Sequence, residues 1–588
     1  MTTKSPAASG QVEAIEYVAG EDTKDSYAIK HHLEFDAPLV HVQTLNEAEH
    51  VRLGWRTWAA VFFSSFAVMT QTHVVIAAGS VIAFIMRELG TMNAAWIIQG
   101  PLLIQSALAP TIGRLSDVLD RRYLASLPPL IAFAGAVISA RATSMNMLIG
   151  GGILIGVTLS TVSIVHAIPS EVLPLKYRVI ANGLGYLGGS VAGIVGVLGS
   201  GALTNASPTG WRNIFWMQAA FHLVTFLGLI AFYHPIRKSD YPKSSWKQVI
   251  WACDPWGSLF FVFGCTLLLL AMDWASGAYE WSDAQVAAPL ALGFVCLIAF
   301  GVYEWIGRSD GLISHVFFRG SANFAISMFC FTVEGWLFYS AVNSVTPRII
   351  LNLGFERNAW NVAIRQLSLT IAGLVTPFPL MWYSTKYKDI KSPLIFTYVV
   401  FLAVAICYSL ISPSMSHAQI AFQVLAGIGV SGPLCLLVTL IQFTAPHAYL
   451  STATGLAYSA RAIGGAFGAA VLDTIINDKL KSYPEKVGNA ATEAGLPTSS
   501  VATLLKALAA GTPVSKVPGM TPSIQDSALH ASRWAYTRAY RPAWASIIPF
   551  VVLAIVATFF LKSVRELMTE RIEATVERVP VRNEDEKA

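Results

Sequence analysis

Gly113 to Leu124 reads GRLSDVLDRRYL and lies between two apolar runs, QGPLLIQSALAPTI at 99–112 and ASLPPLIAFAGAVISA at 125–140. Two aspartates and three arginines crowd this gap. At membrane depth each such group costs roughly 2.5–3.5 kcal/mol on insertion scales. The flanking runs are as unsuited to water as the gap is to lipid. The pattern therefore predicts two membrane spans joined by a short aqueous turn.

Composition carries the same reading along the chain. Of 588 residues, 54% are hydrophobic and 13% charged, with a mean hydropathy of +0.54, against about 25% charged in an average soluble domain. Windows of about 20 apolar residues, enough to cross a hydrocarbon core of about 30 Å, recur fourteen times between 58 and 561. The expected fold class is an all-α polytopic membrane protein. The first window, 58–85, exceeds one crossing and is expected to tilt or break near Gln71. The polar stretch 477–540 contains SSVATLLKALAAG, which predicts one short amphipathic helix on a membrane face.

Several chemistries are excluded. The six cysteines lie in or beside apolar runs without C-x-x-C spacing, which suits buried thiols. No H-E-x-x-H occurs, and without a Gly-Lys dipeptide there is no phosphate-cradling loop. A net charge of +5 does not suggest nucleic acid. No cofactor, metal, nucleotide or enzymatic cluster is expected; the expected partners are the lipid bilayer, protons and a small amphipathic organic substrate. The first fifty residues, with EDTKD, KHH and NEAEH, lack the apolar core of a signal peptide and read as a soluble tail.

Basic residues set the expected orientation. With the N-terminus inside, inner loops hold Arg114, Arg121, Arg122, Lys176, Arg178, Arg237, Lys238, Lys243, Lys247, Arg308, Arg319, Lys386, Lys388 and Lys391. Outer loops hold Arg87, Arg141, Arg212, Arg348 and Arg357. The excess predicts cytoplasmic termini. Asn205, in the sequence Asn-Ala-Ser, would then face outside as a glycosylation acceptor.

Within the opening stretch, Gly113, Leu115, Asp117, Arg121 and Arg122 resemble the loop signature of the major facilitator superfamily, G-x-L-x-D-x-x-G-R-[KR], although Asp120 stands where its second glycine would be. SEVLPLKYR (170–178) and WRNIFWMQ (211–218) resemble two further family segments. GVLGSGAL, with Gly196, Gly199 and Gly201, resembles the fifth-span motif of drug antiporters, with Val197 in place of its proline. Two extra spans opening at DPWGSLFF (254–261) resemble the fourteen-span drug:proton antiporter branch. QGPLLIQSALAPTIGRLSD and SARAIGGAFGAA look most like fungal trichothecene efflux pumps.

That resemblance implies two six-helix bundles with an inserted pair. The boundaries would be 1–56 for a cytoplasmic tail, 57–235 for the first bundle, 236–321 for the pair, 322–561 for the second bundle with an extracellular loop at 477–540, and 562–588 for a second tail. It also implies a latch, in which Gly113 admits a helix of the other half and Asp117 faces that helix's positive N-terminus while pairing with arginine. The implied activity is proton-driven export of a hydrophobic metabolite, mycotoxin or drug across the plasma membrane, with a vacuolar or vesicle membrane as the alternative address. Siderophore uptake and a non-transporting receptor are the alternative activities.

Ionisable residues inside spans mark candidate sites. Glu334, halfway along the ninth span, reads as a proton carrier or as a structural carboxyl between helices. Arg461 in AYSARAIGG needs a counter-charge, and either tunes a carboxyl or braces spans. Gln71, His73, Gln105, Gln218 and His222 are candidate cavity-lining residues, the two histidines being possible relay members. Drug antiporters of the family carry an arginine in the fourth span where Gly152 stands here.

Overall fold

The structure is a computed structural model, and it describes residues 53–89, 96–119, 121–206, 209–235, 246–275, 279–319, 321–356, 359–510 and 512–573. The tails to 52 and from 574, Asp120, Arg237, Lys238, Lys243, Arg357 and the side chains of Arg87 and Asn205 lie outside the described residues. Gly201 is followed only as helical backbone.

Among the described residues there are helices and no strands. A first group comprises α1 (Trp55–Leu89), α2 (Trp96–Val118), α3 (Arg121–Ala140), α4 (Met145–Leu159), α5 (Val162–Val172), α6 (Arg178–Ala206) and α7 (Trp211–Phe232). After a short α8 (Trp246–Ala252) comes the hairpin of α9 (Pro255–Ala275) and α10 (Ala284–Val302). A second group comprises α11 (Asn323–Gly335), α12 (Thr346–Asn352), α13 (Ala359–Val375), α14 (Pro377–Tyr387), α15 (Lys391–Ser409), α16 (Ser416–Thr444) and α17 (Leu450–Leu480). Then follow α18 (Tyr483–Glu493), α19 (Thr498–Ala510), α20 (Pro522–Ala545) and α21 (Ile548–Phe559).

Thirteen helical segments among the described residues are long and apolar enough to cross a membrane. They cover the predicted windows except the second, where α2 stands. The first group packs mainly on itself, α1 on α6 and α7, and α3 on α4 and α7. The second does likewise, α15 on α16 and α11 on α17. The groups meet where α2 lies along α17 and α6 crosses α13 and α16; the α9–α10 hairpin leans on this seam through α2 and α17. On the hairpin's free side Leu292, Val295, Ile298 and Val302 are each at least 53% exposed, an apolar stripe that water would penalise and lipid would not.

Three local expectations change. The helix α1 runs unbroken past Gln71; the break falls instead in the fourth window, between α4 and α5, where the Gln71 amide donates to Thr158 O (2.8 Å) and Thr161 Oγ1 (3.1 Å). A side chain from another helix thus satisfies backbone freed at a kink. Gly113–Val118 is not loop but the end of α2, and Arg121 already opens α3. The stretch after α17 holds three helices in place of one. Val487, Ala491, Leu504, Ile524 and Ala528 form a small core of their own there, burying apolar faces that a lone helix would leave to the membrane surface.

Candidate functional site

The span Asn323–Asn352 contains α11, α12 and, between them, a π-helical stretch from Trp336 to Val345. Such widened turns lie frequently at functional sites. Glu334 sits just ahead of this stretch and is fully buried. A Cβ on Gly335 would lie 1.8 Å from the Arg461 carbonyl oxygen. Only a glycine lets the backbones of α11 and α17 come this close, and the approach sets Glu334 beside Arg461. The guanidinium donates through Nε and Nη2 (3.1 Å) to the two Glu334 oxygens and through Nη1 to the Tyr339 hydroxyl (2.8 Å). The rings of Phe338 (4.9 Å), Tyr339 (4.6 Å) and Phe331 (5.6 Å) surround its charge. A buried ion pair is often no more stabilising than well-packed apolar residues, yet removing one partner costs about 3–5 kcal/mol. The arrangement thus contributes little net stability while responding strongly to one proton: a proton on Glu334 dismantles the pair and leaves Arg461 uncompensated.

Toward the N-terminus of α17, Tyr458 reaches across to the first helix group. Its hydroxyl lies 2.8 Å from His166 Nε2 on α5, and the two rings stack with centroids 5.1 Å apart. Both residues are buried, and Tyr458 packs edge-on against Phe331, the ring that also faces Arg461. Neither Tyr458 nor His166 stands among the residues that the sequence marks as candidates. His166 carried a usable signal, a lone imidazole in the apolar run VSIVHAIPS, of the kind that had singled out His73 and His222.

Nearer the start of α17 lies the region of the opening stretch. Asp117 accepts from Ser451 N (3.2 Å), Thr452 N (2.8 Å) and Thr452 Oγ1 (2.7 Å), all in the first turn of α17. Hydrogen bonds to a charged group are worth about 1.5–3 kcal/mol each, and the helix N-terminus adds its positive end. Arg121 spans Asp117 (2.6 Å) and Glu171. Glu171 also accepts from Tyr233 Oη (2.5 Å) and faces His447 Nε2 (3.2 Å). Arg122 donates to Ile230 O (2.7 Å), and Leu115 on α2 is half-buried. Glu171 was legible only as part of SEVLPLKYR; its charge partner was not.

His73, Gln218 and His222 form one cluster inside the first helix group: His73 Nδ1 pairs with Gln218 Oε1, and the Gln218 amide reaches His222 Nε2 (2.9 Å) and Thr70 O (3.2 Å). Gln218 also lines a small apolar cavity with Gly152, Ile155 and Phe215. Gln105 is buried on α2 and joins neither cluster. A Cβ on Gly196 would lie a tight 3.1 Å from Ile76, and one on Gly199 an ordinary 3.6 Å from Met217. The closest approach of α6 to α1 falls earlier, at Gly188, whose Cβ would lie 2.4 Å from Ser65 O.

A further charged group anchors the hairpin. Leu312 N–H is shared between Asp254 Oδ2 (3.3 Å) and Glu304 Oε1 (3.1 Å), and Arg308 bonds Asp310 (2.7 Å) and faces Asp254 (3.5 Å). Arg114 of α2 donates to Ala252 O (2.8 Å) at the end of α8 while lying over the ring of Tyr449 (4.2 Å), the residue before α17. Among the described residues no His, Cys, Asp or Glu group has metal-binding geometry.

Comparison with known proteins adds the family context. Residues 57–469 match the family profile described as Major Facilitator Superfamily. The MFS-type transporter prx5 of Penicillium rubens is 26% identical over 476 residues, covering 79% of this chain and 84% of the relative. The acurin A biosynthesis cluster MFS-type transporter of Aspergillus aculeatus is 24% identical, covering 88% of this chain and 91% of its own. The trichothecene efflux pump TRI12 of Fusarium sporotrichioides is 23% identical, with 78% of each chain covered.

Proposed function

Because this chain belongs to the Major Facilitator Superfamily, we propose that it exports a hydrophobic or amphipathic secondary metabolite in exchange for protons, with Glu334 as the proton carrier. The coarser part is direct: it is a multi-span membrane transporter of small organic solutes related to fungal efflux proteins, and not an enzyme.

The finer reading places the two helix groups as bundles 57–235 and 322–561 that rock about a central site, with 236–321 as an inserted pair and α2 as the fourteenth span. Both termini are cytoplasmic, the membrane is the plasma membrane, and the Asp117 face is the inner one. The closed Asp117–Ser451 contact then corresponds to an outward-facing form. The observation that carries the coupling is the Glu334–Arg461–Tyr339 cluster: an acid buried at membrane depth, held by one cation, among aromatic rings suited to an amphipathic solute. From outside, a proton loads Glu334 and frees Arg461; the halves tip, the proton leaves inward, and the restored pair readies the site for the next exchange.

The test is transport by purified protein in liposomes containing a pH-sensitive dye, with a trichothecene as the first solute offered. An imposed proton gradient is expected to drive solute against its concentration difference, and Glu334→Gln to bind solute without gradient-driven flux. Full transport by Glu334→Gln, or wild-type flux indifferent to the gradient, overturns the reading.

A further inference from the structure

We propose that His166 is the inner-side proton acceptor of this transporter, and that its hydrogen bond to Tyr458 is the rung that must break before the two halves part on the latch face. The inference rests on the reading of Glu334 as the proton carrier and adds the residue through which the proton acts on the gate.

Position comes first. Tyr458 stands three residues before Arg461 on α17 and seven after Ser451. At 1.5 Å per residue it lies about 4.5 Å from the level of Arg461 and about 10 Å from the latch contact. His166 stands five residues before Glu171 on the opposing side, about 7.5 Å above the latch by the same rise. The pair therefore occupies the interval between the carboxyl site and the latch, and it is a direct side-chain bond between the halves. Positions on α17 three apart share a face, so Arg461 and Tyr458 present one surface to α5 and α11, and the Phe331 ring touches both.

Chemistry comes second. In the closed form the Tyr458 hydroxyl has one hydrogen to donate, and a neutral imidazole with Nε2 bare accepts it. A proton on Nε2 reverses the bond: the imidazolium becomes the donor and the tyrosine oxygen accepts with its own hydrogen turned away. The buried ring, near the fixed charge of Arg461, gains a positive charge whose hydration favours parting of the seam. The titratable and charged groups gathered around the pair are Arg461 on α17, Glu334 and Tyr339 on the span Asn323–Asn352, and Cys435 on α16; on α6 the ring meets Gly185 and the side chain of Asn182, which hydrogen-bonds it. Arg461 is thus the fixed cation of this group and Glu334 its carboxylate. When Glu334 is protonated the aromatic site holds one uncompensated cation. When the proton passes on, Glu334 regains its charge and neutralises Arg461, while His166 takes the positive charge to the seam. The balance is Glu334–COOH plus neutral imidazole giving carboxylate plus imidazolium, with the proton then leaving to inner water as the gate opens. The backbone of His166 is braced for this, its carbonyl accepting from Ser170 Oγ (3.0 Å) and from Gln442 Nε2 (3.4 Å) of the other half.

The experiment follows amide hydrogen exchange of the purified full-length protein at neutral and acidic pH, corrected for intrinsic exchange rates, in the wild type, His166→Gln, His166→Asn, Tyr458→Phe and Glu334→Gln. Acidification is expected to raise exchange in Ser451–Tyr458 and Leu173–Arg178 of the wild type by about tenfold, the equivalent of 1.4 kcal/mol. Tyr458→Phe is expected to show raised exchange at both pH values. Both His166 variants are expected to lose the pH response while the exchange of α15, remote from the seam, stays as in the wild type, which reports an intact fold. A wild-type pH response in either folded His166 variant overturns the inference. Solute flux separates it from its premise: if Glu334→Gln keeps gradient-driven flux the carrier assignment fails, whereas if Glu334→Gln loses flux and the His166 variants keep both flux and gate response, the role of His166 alone fails.

Discussion

Gly113 on α2 lies so close to Ser451 that a Cβ there would stand 2.5 Å from the Ser451 carbonyl oxygen and 2.9 Å from its carbonyl carbon. Both clashing atoms are backbone, so no rotamer change relieves them. The first turn of α17 would have to retreat, and with it the amides that Asp117 holds. Gly113→Ala is therefore expected to weaken closure of this face by about 1–3 kcal/mol, the usual cost of overpacking, without unfolding either helix group. Exchange of Leu450–Thr454 should rise in Gly113→Ala and in Asp117→Asn alike. Unchanged protection in Gly113→Ala would remove the steric argument.

At the carboxyl site the prediction concerns which single change hurts most. Arg461→Met leaves Glu334 buried without its cation, at a cost of about 3–5 kcal/mol. Glu334→Gln keeps a neutral hydrogen-bonding group beside Arg461 and should melt closer to the wild type. In the double variant Glu334→Gln with Arg461→Met, part of the loss should return, giving a coupling of about 1 kcal/mol or more. Thermal unfolding of the four proteins in detergent checks this, and strictly additive losses would mean that the pair does not act as a unit.

A pH effect is expected at the foot of the hairpin. Burial raises the Asp310 carboxyl, but the hydrogen bond and charge of Arg308 outweigh it and hold the group below its ordinary value. A depressed carboxyl contributes stability that is present above its unfolded pKa, about 3.9 for aspartate, and lost as pH falls through the lower folded value. Asp310→Asn should thus melt below the wild type at neutral pH, with the gap closing on acidification beneath about pH 4. A gap of constant size would show that Asp310 acts only through packing.

How far the sequence carried depends on range of interaction. Apolar windows are local, so the helices over them were legible, as were Glu334 and Arg461, each conspicuous as a costly charge in an apolar run. Their mutual contact is not local, since 127 positions separate them, and 292 separate His166 from Tyr458. Nothing in either segment encodes the other. Gln71 misled for the same reason: a polar residue in a long window suggested a broken α1, whereas its amide serves the break in another helix. The resemblance points Asp117 toward a helix N-terminus, and its carboxylate meets Ser451 and Thr452; SEVLPLKYR contains Glu171 but not its pairing with Arg121, and Arg122 donates to Ile230 O.

The segment KSVRELMTERIE, 562–573, read as the start of a tail because it lies beyond the last apolar window, yet it crosses from one helix group to the other. Its root is pinned to the second group by a reciprocal pair, Asn323 Nδ2 to Lys562 O (3.0 Å) and Lys562 N to Asn323 Oδ1 (2.8 Å). Met568 is fully buried in the core of that group. Its tip meets the first group: Leu175 N donates to Arg571 O and Lys176 N to Thr569 O, both at 2.9 Å, and Lys176 and Arg178 pair with Glu570 and Glu573. Parting of the halves on this face has to strip these contacts. The two ion pairs differ in a way that gives the prediction its edge. Glu570 is 61% exposed, and exposed pairs contribute about 0–1 kcal/mol. Arg178 and Glu573 are only 3% and 11% exposed, and Arg178 also donates to Gln442 O (2.9 Å) in the second group. Glu570→Lys is therefore expected to leave exchange of Leu173–Arg178 near wild type. Glu573→Lys should raise it clearly, and truncation after Lys562 should raise it further while leaving the exchange of α3 and α15 unchanged. Equal effects from the two charge reversals would mean that the strap holds by net charge and not by the buried pair.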